Sequence, residues 1–268
     1  MKKVSRVFTW KGKKIFYQQT GKGEPIIFLH CWLGSHSFYK HQVAMLEKDF
    51  TCISFDLPGH GLSDRTGEYG PVPFSEIVSA FMRQPSFKGH RFILVGHSLG
   101  GMTAMQTALD NAGRIRALIL IDTSSNLRGH LGQDIATPLA LLVSPLLTKR
   151  AKNTGIDLTA VHPFCGLRTR RFIKAEADKV SEDVFTEVLR GINSFNVQRR
   201  LREIQVPTLI IVGISDIYTD LRHALTMRLG IRHSRLAVIP RAGHMGILEQ
   251  PRITNRKIRD FLVSNGLK

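Results

Sequence analysis

The chain is predicted to be an α/β protein: a mostly parallel, eight-stranded sheet flanked by helices, interrupted by one helical insertion. Three observations predict it. Eight short apolar runs, set off by turn residues, have strand length. Segments with helical spacing lie between most of them, the alternation that gives parallel strands covered on both faces. From Thr123 to about Glu203 that alternation stops, and no convincing strand occurs.

The elements follow in order. Val4–Trp10 and Ile15–Gln19 read as two strands joined by the Lys11-Gly12-Lys13 turn. Pro25–His30 is an apolar strand after a Gly21-Lys22-Gly23 loop, and His36–Lys48 is a helix presenting Phe38, Val43, Met45 and Leu46. Thr51–Asp56 is a strand, Pro73–Met82 a helix, and Arg91–Val95 a buried strand running into the helix of 101–109. Ile115–Asp122 is a long apolar strand. Thr208–Gly213 and Arg235–Ile239 are two more, and a last helix starts near Gln250-Pro251, where Pro suits a first turn. Residues 1–122 and 204–268 are expected to form the core. Residues 123–203, with helical patches at Pro138–Leu147 and Glu182–Gly191, are expected to form a helical cap over the carboxyl ends of the strands, where open α/β sheets bind ligands.

Composition narrows the function classes. With 268 residues, 43% hydrophobic and 22% charged, the chain can bury one large core. No apolar run approaches the ~18 residues of a membrane span. The N-terminal residues are basic without an apolar core, so a cytoplasmic protein is expected. Three cysteines (Cys31, Cys52, Cys165) show neither disulfide nor zinc-site spacing. The net charge of +17 is high: six Lys/Arg and no acid fall in the first fourteen residues, and nine Lys/Arg against Glu249 alone lie between Arg222 and Arg259. Without aromatic–basic interleaving or a nucleic-acid motif, this reads as a solvated basic exterior, and no nucleic-acid partner is expected.

The chemistry centres on Gly96-His97-Ser98-Leu99-Gly100, between a strand and a helix. A serine on so sharp a turn is lifted clear of the backbone, and small flanking residues permit the turn. Alone, G-x-S-x-G arises by chance in roughly one chain in ten of this length. A serine hydroxyl also needs a base, and a histidine base needs an orienting carboxylate. Two later strand ends offer them: Gly213-Ile214-Ser215-Asp216 and Pro240-Arg241-Ala242-Gly243-His244. Asp220, four residues on, and Asp122, at the end of an earlier strand, are the alternative acids.

Together with Leu29-His30-Cys31-Trp32-Leu33-Gly34-Ser35 and Phe55-Asp56-Leu57-Pro58-Gly59-His60-Gly61-Leu62-Ser63-Asp64, these motifs resemble the α/β-hydrolase fold family, in its compact form with a helical cap. The resemblance covers nearly the whole chain. It implies Ser98 as nucleophile, His244 as base, Asp216 as orienting acid, and an oxyanion hole from the backbone N–H groups of Trp32 and Leu99. His30, Cys31 and His97 are expected to shape the pocket. The family usually has His-Gly where this chain has His30-Cys31, which tests the geometry of that loop. The implied activity is hydrolysis of a small carboxylic ester, thioester or lactone through an acyl-enzyme, with no metal or organic cofactor. The same fold also serves carbon–carbon bond hydrolases and acid-eliminating lyases, toward which the arginines of the insertion point, and non-catalytic ligand-binding proteins. The expected partner is a small-molecule acyl substrate, with the chain as a monomer or homodimer.

Overall fold

A computed structural model of the chain describes residues 3–128 and 160–267. The expected helix at 138–147 lies outside the described residues. Eight strands form one sheet: β1 (Val4–Trp10), β2 (Lys13–Thr20), β3 (Glu24–Leu29), β4 (Phe50–Phe55), β5 (Phe92–His97), β6 (Ile115–Ile121), β7 (Thr208–Gly213) and β8 (Ser234–Ile239). Their order is β1-β2-β4-β3-β5-β6-β7-β8. β1 and β2 are antiparallel, as are β2 and β4, and every other pair is parallel. Lys11 and Gly12 both have positive φ (48° and 77°), the geometry of a two-residue turn that matches strand twist.

The helices are α1 (Lys40–Leu46), α2 (Pro71–Met82), α3 (Leu99–Asp110), α4 (Leu167–Ala177), α5 (Glu182–Ser194), α6 (Leu221–Gly230), α7 (Gly246–Glu249) and α8 (Pro251–Ser264). The helix expected over 36–48 is split: a 3₁₀ turn at His36–Tyr39 leads into α1. No helix among the described residues is long and apolar enough to cross a membrane.

Strand alternation sorts the core into two layers. Ile27, Leu29, Leu94, Leu118, Leu120, Ile210 and Val212 face one apolar cluster, with Phe74 and Phe81 of α2 and Met102 and Met105 of α3. Ile26, Phe28, Ile93, Val95, Ile119, Leu209 and Ile211 face the other, with Val43 of α1 and Ile258 and Phe261 of α8. Each fully buried large side chain contributes about 1.5–3 kcal/mol relative to exposure.

The segment after β6 has no strand among its described residues, only an isolated bridge between Asn126 and Asn196. That bridge, with Val197 N–H donating to the Ser125 carbonyl (2.9 Å), sets the segment's two ends side by side. Val184, Val188 and Ile192 of α5 join the first apolar cluster, and Ile173 and Ala177 of α4 join the second.

Candidate active site

Ser98 stands between β5 and α3 with φ 53° and ψ −118°. A non-glycine residue there is strained by about 1–3 kcal/mol, so the surroundings must hold it. They do. The Ser98 amide donates to the Ile121 carbonyl (2.9 Å), and the Ser98 carbonyl accepts from Gly101 and Met102 amides and from the Thr123 hydroxyl (2.7 Å). The glycines allow the close approach. A Cβ on Gly96 would lie 2.2 Å from the Gly100 carbonyl oxygen, and one on Gly100 would lie 1.9 Å from that of Leu29.

The structure brings Ser98, His244 and Asp216 into one hydrogen-bonded row. Ser98 Oγ lies 2.9 Å from His244 Nε2, and His244 Nδ1 lies 2.9 Å from Asp216 Oδ2. The three come from the ends of β5, β8 and β7, all on the carboxyl edge of the parallel strands. Asp216 also accepts from the Thr219 hydroxyl (2.7 Å) and from the Tyr218 (2.8 Å) and Thr219 (3.1 Å) amides. Burial pushes its carboxyl up, but the neighbouring His244 imidazole and these bonds outweigh that and hold it well below the usual carboxylate range. An acceptor-only carboxylate fixes the Nδ1–H tautomer and leaves Nε2 as the acceptor facing Ser98.

The alternative acids lie elsewhere. Asp220 caps α6 and pairs with Arg222 and His223. Asp122, with φ 44°, accepts from the Gly213 amide (2.7 Å) and the Gly246 amide (3.3 Å). Burial, then the neighbouring charge of Asp216, raises its carboxyl well above the usual range.

The loop after β3 runs from His30 to Ser35. His30 is fully buried: the Leu57 amide donates to its Nε2 (2.9 Å), so its Nδ1 carries the hydrogen and donates to the Cys31 carbonyl (2.7 Å). Burial lowers the His30 imidazole to about 3. Cys31, 1% exposed, packs into the second apolar cluster, and its carbonyl also accepts from Gly34 (3.0 Å). The thiol therefore fills core space, and the Cys31–Gly34 turn closes with Leu33 at a φ of 66°. Neither the Trp32 nor the Leu99 amide donates to another described residue. His97 is buried and donates from Nε2 to the His244 carbonyl (2.6 Å). His30 and His97 thus brace the loops around the row and are not themselves exposed.

Residues 24–251 match the model of a known family, described as alpha/beta hydrolase fold. The chain belongs to the alpha/beta hydrolase fold family. It is similar to a 2-hydroxy-6-oxo-6-phenylhexa-2,4-dienoate hydrolase of Comamonas testosteroni (26% identical, 92% of this chain and 91% of the relative). It is also similar to a pimeloyl-[acyl-carrier protein] methyl ester esterase of Yersinia enterocolitica (24% identical, 93% and 97%). A solved structure of an N-acyl homoserine lactone degrading enzyme superposes with a TM-score of 0.82 at 27% identity, covering 96% of this chain and 100% of the other.

Two features of this family member escaped the sequence reading. Trp32 packs against Phe185 of α5 with the rings tilted by 38° and their centroids 4.3 Å apart, so the insertion touches the loop after β3. Glu249 accepts from the amides of Gly243 (3.0 Å), Met245 (3.1 Å) and His162 (2.7 Å), around the loop that carries His244. Backbone donors leave no side-chain signature in a sequence. One signal was present: Glu249 is the lone acid among nine basic residues between Arg222 and Arg259.

Proposed function

We propose that the chain is a serine hydrolase acting on a small carboxylic ester, thioester or lactone. The observation that carries this reading is the Ser98–His244–Asp216 row, with 2.9 Å at both contacts. In the proposed route, Ser98 Oγ gives its proton to His244 Nε2 and attacks the substrate carbonyl. The oxyanion of the tetrahedral intermediate accepts from the amides of Trp32 and Leu99, neither of which donates to another described residue. Collapse breaks the carbonyl–oxygen or carbonyl–sulfur bond, and His244 returns the proton to the leaving group. Water, deprotonated by His244, then releases the acid from Ser98. Asp216 keeps the imidazole in its Nδ1–H tautomer and balances the imidazolium that forms twice.

We further propose that residues 123–203 act as a cap and supply the substrate pocket. The Trp32–Phe185 ring contact and the Glu249–His162 bond support that assignment. A second reading, hydrolysis of a carbon–carbon bond in a diketone acid, draws on the similarity to the Comamonas hydrolase. It would use the same three residues and a carboxylate-binding arginine from the insertion.

Turnover of an acyl ester panel and of a vinylogous diketone acid, wild type beside Ser98→Ala, tests these readings. Ester turnover lost by on the order of 10³-fold or more in the variant is expected. Near-normal ester turnover by Ser98→Ala would overturn the serine mechanism, and diketone acid cleavage outrunning every ester would favour the second reading.

A further inference from the structure

His244 sits in a loop, 240–245, between β8 and α7, outside the sheet ladder. Loops of that kind are mobile unless their amides are tied down. Here the ties are carboxylates other than Asp216. Glu249 Oε1 accepts from Gly243 and Met245, the residues on either side of His244 (3.0 and 3.1 Å). Asp122 Oδ2 accepts from Gly246 (3.3 Å), and Asp122 Oδ1 from Gly213 (2.7 Å), three residues before Asp216. The His244 carbonyl accepts from His97 Nε2 (2.6 Å).

The second Glu249 oxygen points the other way. Oε2 accepts from the His162 amide at 2.7 Å, a backbone group of the insertion. The approach is close on the main chain too: a Cβ on Gly243 would lie 2.9 Å from the His162 nitrogen. Three N–H donors therefore converge on one side chain, and both of its oxygens must accept. A carboxylate can do this, whereas a carboxamide has one acceptor oxygen and one donor nitrogen.

We propose that Glu249 is a positioning residue for His244: its two oxygens fix the loop that carries the imidazole and tie that loop to the backbone of the insertion at His162. Asp122 binds Gly246, the first residue of α7 directly after that loop, and Gly213, the last residue of β7 before the loop of Asp216. The inference rests on the reading of His244 as the base. Its physical basis is the sensitivity of the Ser98–His244 contact to position, since a displacement of about 1 Å from reacting geometry costs on the order of 10²-fold in rate. Glu249 acts through His244 and does not touch the reacting atoms.

The test compares Glu249→Gln, His162→Pro and His162→Ala with wild type. The carboxamide of Glu249→Gln keeps the side chain's size but offers a single acceptor oxygen. His162→Pro deletes the amide hydrogen, whereas His162→Ala keeps it. Steady-state kinetics on the best ester of the panel should show kcat lowered roughly tenfold in Glu249→Gln and His162→Pro, with KM within about twofold. His162→Ala should stay within about twofold of wild type. The far-downfield proton resonance of the His244 Nδ1–H···Asp216 bond, read without substrate, should shift or broaden in Glu249→Gln and His162→Pro. Wild-type kcat with an unmoved resonance in Glu249→Gln would overturn the proposal. So would a lower melting temperature with neither change, since that marks a merely structural carboxylate. Because the resonance needs no turnover, it tests the positioning role even if Ser98→Ala were to remain active.

Discussion

His60, 1% exposed, closes the Leu57–His60 turn with its amide donating to the Leu57 carbonyl (3.0 Å), and it makes the fold sensitive to acid. Its Nδ1 hydrogen donates to the Pro58 carbonyl at 3.0 Å, while Nε2 is buried with no hydrogen-bond partner among the described residues. A proton added at Nε2 would place a charge in a buried site beside the His30 ring, whose centroid lies 5.1 Å away. Burial accordingly lowers the folded imidazole to about 4, against about 6.5 in an unfolded chain. Between these values the unfolded state binds more protons, so stability falls as pH falls from 7 toward 4 and this contribution levels off below that. At pH 5 the unfolded state is favoured by about 1.5 units, or about 2 kcal/mol at 1.36 kcal/mol per unit. His60→Gln cannot titrate. The difference in unfolding free energy between pH 7 and pH 5 should therefore shrink by about 2 kcal/mol in the variant. Urea unfolding of both proteins at both pH values measures it. Any cost of the substitution itself cancels in the pH difference, as do the opposite-signed contributions of Asp122 and Glu249, both raised by burial. A change below about 0.5 kcal/mol would refute the reasoning, because a histidine charged in the folded state has no such linkage.

The same packing makes two further predictions. Ser98→Gly should be more stable than Ser98→Ala by about 1 kcal/mol in thermal or urea unfolding, because glycine relieves the φ of 53° that alanine retains; equal stability would show that the elbow stores no strain. Native protein treated with iodoacetamide should gain its first adduct at Cys165, which is partly exposed, and three adducts after denaturation. Cys31 and Cys52 should resist, since both are buried and burial raises Cys52 to about 12 and Cys31 higher; rapid native labelling at Cys31 would contradict its place in the core.

Most of the fold was legible because each strand is a short apolar run with turn residues beside it, and a buried parallel strand needs little else. The candidate site was legible because Ser98, Asp216 and His244 each follow such a run. Three helices were not, the four-residue α7 among them. In α6, buried His223, Ala224 and Met227 lie opposite exposed Leu221, Leu225 and Leu229, so no apolar face stands out. In α4, Arg168, Arg170, Arg171 and Lys174 stay out of the core, and only Ile173, Glu176 and Ala177 are buried. The braces around the site were hidden for another reason. Asp122, His97 and Glu249 bind main-chain atoms of residues 91, 147 and 4 to 87 positions away, and such bonds depend on tertiary placement alone.

The measurement closest to the central claim is covalent labelling by a fluorophosphonate, read by intact mass, with wild type beside Ser98→Ala. A single adduct on wild type and none on the variant is the predicted result, since phosphonylation requires a serine activated by a base and an oxyanion site that accepts the phosphoryl oxygen. No adduct on wild type, or an adduct of equal yield on Ser98→Ala, would contradict the assignment of Ser98 as the nucleophile.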